Sequence, residues 1–314
     1  MTLLEDPHEA LLRALTLGPA DADPERFLGE LLDSSQLSAD DRAFLREQGP
    51  RRLLVYRRLV RNTLRELLEL SIPRTVARFV ALEVELPEPS TDSSLFRRMF
   101  DAFCAERGPR SHYLRDVATE FLDFVEARFT KGDHFPAYLL ELGRLEAAEI
   151  EIAAAPSRRH GDFGVAEKDL GGHRGDALGV PEGAKSASRF SNAAASNDEE
   201  LSLDRGVVFS DACRLFDFEY AVHRLPNDIE DRTEPERLPT SLLVYRSPEH
   251  DVRYLELSPL AAALLRRLLS GATLRDALVL GAAEQGLPLD DAALAGAAQL
   301  LSDVAHRGVL CGAR

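Results

Sequence analysis

Residues able to do chemistry are sparse in this chain, and their spacing limits what they could do. Eight histidines are scattered along it, and none sits in the HExxH pattern that places two imidazoles on one helix face around a metal. The nearest approaches are Glu5-x-x-His8, interrupted by Pro7, and Asp303-x-x-His306. A lone carboxylate–imidazole pair lacks the further ligands of a tetrahedral site, so both also read as surface or helix-end residues. Glu141, Glu146, Glu149 and Glu151 crowd one helical segment. Glu146 and Glu149 are three apart on one face, so they could act as paired carboxylates, one giving and one taking a proton. The competing reading is a solvated acidic face with Arg144 as an ion-pair partner. Gly171-Gly172-His173-Arg174-Gly175 is glycine-rich, but it follows no strand and opens no helix, so it does not read as a phosphate cradle. The tripeptide Arg174-Gly175-Asp176 is read as chance. There is no GxSxG and no cysteine beside a histidine. Cys104, Cys213 and Cys311 are odd in number and far apart, which suits free buried thiols in a reducing compartment better than a disulfide framework or a zinc site. The expectation is a chain with no catalytic residues, no metal ligands and no cofactor of its own.

One basic cluster stands out: Arg51, Arg52, Arg57, Arg58, Arg61 and Arg65. Arg58, Arg61 and Arg65 share a helical face, and Arg57, Arg58, Arg61 and Arg65 are the candidate contacts for phosphates or an acidic protein surface. Glu66 and Glu69 offer the alternative of neutralisation within the chain.

The elements that must carry these residues follow from composition and period. The chain has 314 residues, 45% of them hydrophobic, with no Trp and 7% aromatics. Leu and Ala dominate, which predicts a mainly helical protein of about two domains at ~100–200 residues each. Lys and Arg number 38 against 53 Asp and Glu, a net charge of −15, and this acidity disfavours binding to nucleic acid. No run of ~18 apolar residues occurs, so no membrane span is expected. Glu5-Asp6 after Leu3-Leu4 does not suit a signal peptide, and a cytoplasmic location is expected.

The 50 residues from Pro156 to Arg205 include seven Gly and no apolar periodicity, which predicts a disordered linker. Residues 1–155 should form a bundle of six to eight helices. Leu114, Val117, Phe121, Phe124, Val125 and Phe129 recur at three- and four-residue steps, as do Tyr138, Leu142, Leu145 and Ile152. Leu53, Leu64, Leu67, Leu68 and Ile72 mark another helix ending near Pro73, and one more runs from Ser94 to Cys104. Residues 206–314 read differently. Arg214–Val222, Leu242–Arg246 and Asp251–Leu257 suggest strands, the last two joined as a hairpin through Ser247-Pro248-Glu249-His250. Three helices follow, opened by Ser258-Pro259, Thr273 and Asp290-Asp291, and Val309-Leu310-Cys311 returns as an edge strand. This order predicts a small winged-helix-like α+β domain. A DNA-binding regulator is the alternative function for such a fold, but its third helix begins with two acids and carries no Arg or Lys before Arg307.

Three segments carry a family resemblance. They are Val55-Tyr56-Arg57-Arg58-Leu59-Val60-Arg61-Asn62-Thr63-Leu64-Arg65 reaching Ile72-Pro73-Arg74-Thr75-Val76; Ser111-His112-Tyr113-Leu114 leading to Glu120-Phe121-Leu122-Asp123-Phe124-Val125; and Phe135-Pro136-Ala137-Tyr138-Leu139-Leu140-Glu141-Leu142-Gly143-Arg144-Leu145-Glu146. In order and spacing they resemble the BufC and HvfC partner proteins, once labelled DNA-binding. The resemblance covers residues 7–155 and, more loosely, 207–285. The chain departs from the pattern at Ala147, where an aromatic is frequent, and in its long linker. The resemblance implies a helical N-terminal domain and a C-terminal domain like a precursor-peptide recognition element. It implies a partner of TIM-barrel multinuclear non-heme iron oxidative enzymes acting on Cys-containing ribosomal peptides; the acidic charge and the lack of an apolar run add the expectation of neither nucleic acid nor membrane as a partner. Such elements take the peptide as an added strand, which needs an open sheet edge. The candidate strand is Val252–Leu257, with Val252, Tyr254 and Glu256 on one face and Arg253, Leu255 and Leu257 on the other. Leu294, Ala297, Ala298 and Leu301 of the third helix would form the adjoining apolar groove, unless they are core.

Overall fold

The computed structural model describes residues 23–34, 38–82, 94–111, 113–129, 135–156 and 202–313. The chain is mainly helical with a small C-terminal sheet region. Its described residues divide into two compact units. The first takes the described residues up to Ala154 together with Phe216–Val244 and Tyr254–Glu256. The second takes the described residues of Ala155–Leu215, Tyr245–Arg253 and those from Leu257 onward. Most of the expected linker, 157–201, lies outside the described residues, as do Glu5, His8, His112 and Gly171–Asp176.

Seven described α-helices build the first unit: α1 (Pro24–Ser34), α2 (Ala39–Gln48), α3 (Pro50–Ser71), α4 (Pro73–Ala81), α5 (Leu95–Glu106), α6 (Val117–Phe129) and α7 (Tyr138–Ala154). Pro50 and Pro73 occupy first turns, where the missing N–H costs nothing. The Ser38 and Ser94 hydroxyls accept from the backbone N–H three residues on. Phe121 of α6 is the hub of the core: Phe79, Phe96 and Phe103 set their rings edge-on to it with centroids 6.5, 6.1 and 5.7 Å away. Leu68, Ile72, Leu139, Leu142 and Leu145 complete the buried layer. Where α7 crosses α6, a Cβ on Gly143 would lie 2.6 Å from a Leu122 methyl, so glycine is what permits the approach. A separate cluster of Phe27, Leu28, Leu31, Leu32, Leu45, Leu53 and Leu54 seats α1 and α2 on the first half of α3.

Strands β2 (Cys213–Phe218), β3 (Thr240–Arg246) and β4 (Val252–Leu257) form a sheet in the order β2-β3-β4. The expected strand Arg214–Val222 ends at Phe218, because the Glu219 and Tyr220 N–H groups donate to the Glu141 carboxylate (2.8 and 3.0 Å) rather than to a ladder. Val222–Arg224 then forms a 3-10 turn.

In the second unit α8 (Pro259–Leu269), α9 (Leu274–Glu284) and α10 (Asp291–His306) carry Ser258, Thr273 and Asp290 as N-caps. The returning strand is β5 (Leu310–Ala313). It pairs antiparallel not with the three-stranded sheet but with β1 (Val207–Phe209). The register slips between Val208 and Phe209, leaving Cys311 as the extra residue, and Gly312 beside it has φ 153°, a conformation open to glycine. Leu264, Leu268, Leu274, Ala277, Ala297 and Leu301 fill the core under Val207.

Candidate functional site

β4 is the outermost strand of its sheet among the described residues, so one row of its backbone donors and acceptors has no strand partner among them. Its side chains are anchored in the first unit. The Tyr254 hydroxyl donates to Glu149 on α7, and burial first, then this bond, pushes the phenol far above its ordinary value. Arg224 grips Glu256 with Nη2 2.9 Å from Oε2, and His223 Nε2 lies 2.6 Å from Oε1. These bonds hold the Glu256 carboxyl down at about 2. Val252, Leu255 and Leu257 are half-buried, and Arg253 is exposed and paired with Asp251 at 2.7 Å. The face with Tyr254 and Glu256 thus fixes the strand, while its backbone edge stays open.

An apolar groove of about 110 Å³ lies between the three helices of the second unit. Leu260, Ala261 and Leu264 of α8, Ala277 and Leu278 of α9, and Ala293, Gly296, Ala297 and Leu300 of α10 are among its lining. Of the four groove residues expected from the sequence, only Ala297 lines it. Leu301 is core, and Leu294 and Ala298 point to solvent. The expected stripe 294-297-298-301 and the observed stripe 293-296-297-300 have the same spacing and differ by one residue, a rotation of ~100° about the helix. The small Ala293 and Gly296, which let the helices leave a gap, were the missed signal.

The arginine cluster divides. Arg57 and Arg61 are buried: Arg57 stacks 4.2 Å over the Phe27 ring, and Arg61 pairs with Asp101 above Phe100. Four residues apart, they continue the face of Leu53, Leu64 and Leu68, so they pack the bundle and are not presented to a partner. Arg58 and Arg65 are exposed, with Arg65 3.5 Å from Glu69.

Neither sequence reading of the α7 carboxylates holds for Glu146. It is buried, 3% exposed, and its two oxygens accept from the Arg74 N–H (3.0 Å), Arg74 Nε (3.1 Å), the Thr75 N–H (3.0 Å) and the Thr75 hydroxyl (2.7 Å). A carboxylate from α7 therefore caps α4, where the helix dipole favours negative charge. Glu149 and Glu141 have their pKa values raised by burial, against the bonds that favour ionisation. Arg144 pairs with Glu126 on α6. Asp303 and His306 serve α10 itself: Gln299 donates to Asp303 (2.9 Å), and His306 Nδ1 lies 2.7 Å from the Ser302 carbonyl. Among the described residues no group of three His, Cys, Asp or Glu is disposed to hold a metal, and no helix is long and apolar enough to cross a membrane.

The second half of the chain is thus a small sheet with an open edge followed by three helices that frame an apolar groove. Residues 210–305, which contain both features, match the family model of the HvfC C-terminal domain, and this supports an HvfC/BufC-type family assignment. No curated protein matches the chain.

Proposed function

We propose that this chain is a non-catalytic partner protein that binds a ribosomally made precursor peptide and presents it to an iron-dependent oxidative modifying enzyme. The supporting observation is the open outer edge of β4 within the span that matches the HvfC C-terminal domain. A peptide in extended form adds to such an edge through main-chain hydrogen bonds, and flanking pockets choose among side chains. In this reading residues 206–314 supply a winged-helix-like recognition element of which Phe216–Val244 and Tyr254–Glu256 pack in the unit of α1–α7, residues 156–205 connect it in sequence to the helices, and the complex works in the cytoplasm. Leu255 beside the edge gives an apolar contact for the added strand.

A DNA-binding role meets a physical obstacle. The third helix starts with the N-cap Asp290 followed by Asp291, and acids at the groove-facing end repel phosphate. The test is fluorescence anisotropy of a labelled Cys-containing precursor peptide against the full chain. Val252→Pro, which deletes an outward N–H of β4 in the register set by the bond from the Ser247 N–H to the Asp251 carbonyl and fixes φ, should weaken binding about tenfold or more while circular dichroism shows the protein folded. Unchanged affinity in the folded variant refutes the strand-addition site. A nanomolar, sequence-specific DNA complex refutes the partner reading.

A further inference from the structure

The outward face of α3 is unlike the rest of this acidic chain. From Pro50 to Arg65 the helix contains six arginines and no acid; the first carboxylate is Glu66. Its inner face is spent on the α1–α2 cluster and on the buried Arg57 and Arg61. Opposite that face, Val55, Tyr56 and Leu59 are 53%, 55% and 56% exposed. Val55 and Leu59 are one turn apart in a single row with Arg52, and Arg51 and Arg58 flank them. Arg51, Arg52 and Arg58 are all exposed. Three apolar side chains at the centre, with arginines around them, is the composition of an interface core with a charged rim. Tyr and Arg are also the side chains that most often carry binding energy in such contacts.

We propose that this face of α3 is a docking surface for an acidic patch on a partner protein. The proposal rests on the partner reading above and assigns the occupant to the oxidative enzyme of that reading. Charge decides the occupant. An island of arginines on a chain of net charge −15 attracts a negative protein surface at short range, and the exposed Val55 and Leu59 then exclude water from the contact. Nucleic acid fits less well, because apolar side chains occupy the centre of the face and a phosphate backbone offers them no apolar counterpart.

The test uses the full chain and the purified enzyme. Two double variants are made on exposed positions, Arg52→Glu with Arg58→Glu, and Val55→Asp with Leu59→Asp. Val279→Asp, exposed on α9, is the control. Each α3 pair should weaken enzyme binding about tenfold or more, with thermal melting unchanged, while the control leaves it alone. The arginine pair should also flatten the salt dependence of the affinity. Precursor-peptide affinity, which depends on β4, should be the same in all variants. Enzyme affinity unchanged within about twofold in both α3 pairs overturns this inference and leaves the partner reading intact. Failure of the wild-type chain to bind the enzyme sinks both. Arginine-dependent binding of a 30-base-pair duplex, or a self-association that the α3 variants abolish, overturns the assigned occupant.

Discussion

Replacing Glu146 with Ala should be among the most damaging single changes in this protein. The substitution removes four acceptor contacts at once. Two backbone N–H groups at the start of α4 lose their cap, the buried Thr75 hydroxyl loses its partner, and the Arg74 guanidinium loses its closest counter-charge. Stranding one partner of a buried pair costs about 3–5 kcal/mol. Arg74 keeps Asn227 at 3.2 Å and Glu149 at 3.7 Å, which places the loss at the lower end, about 3 kcal/mol. Glu146→Gln preserves shape and one acceptor oxygen but turns an amide NH₂ toward a donor, so about 2 kcal/mol is expected. Urea denaturation of the full chain measures both, and hydrogen exchange at the Arg74 and Thr75 amides localises the loss to the first turn of α4. The chain has more than one compact unit, so midpoint and slope are compared together. A loss below about 1 kcal/mol for Glu146→Ala would refute the cap as the reason this carboxylate is buried.

Three other outcomes follow from the same structure. Glu256 is held at about 2 against an ordinary 4.5, so its stabilising effect is complete above pH 4.5 and disappears as pH falls toward 2; Glu256→Gln should flatten the wild-type loss of stability in that window, and parallel curves would disprove the assignment. Burial raises the Cys104 and Cys213 thiols to about 11, so at neutral pH the thiolate fraction is ~10⁻⁴ and a disulfide reagent should titrate only the half-buried Cys311 until urea is added; rapid native labelling of Cys104 counts against the packing described. Limited proteolysis should cut within 156–205, yet the two pieces should co-elute under native conditions, because Phe216–Val244 packs in the same unit as α1–α7; pieces that separate on a sizing column would contradict that unit.

Much of the secondary structure was legible because its causes are local. The caps at Ser94, Ser258, Thr273 and Asp290 and the apolar rows of α6 and α7 each declare themselves within a few residues. The hairpin of β3 and β4 was visible from its turn residues. What escaped depends on partners distant in sequence. The end of β2 is set by Glu141, 78 residues from Glu219. Strand β1 has three residues, too few to show alternation, and exists through its pairing with β5. Arg57 and Arg61 were misplaced because arginine was counted as a surface residue, although their spacing matches the buried row; an aromatic ring beneath each guanidinium makes that burial tolerable. Of the expected row Leu294, Ala297, Ala298 and Leu301, only Ala297 lines the cavity between α8, α9 and α10, since period alone does not fix which of two overlapping stripes faces inward.

Phe216–Val244 and Tyr254–Glu256 belong to the unit built by α1–α7, and this bears on the order of synthesis. A ribosome finishes α7 about 100 residues before it reaches Glu256, a delay of ~5–20 s at ordinary elongation rates. Throughout that interval the nascent helices wait without the strands and the turn that complete their unit, and Arg78 waits for Asp231. Expression of the helical segment alone should therefore reproduce this unfinished state permanently. The shortest fragment able to complete the unit extends past Glu256.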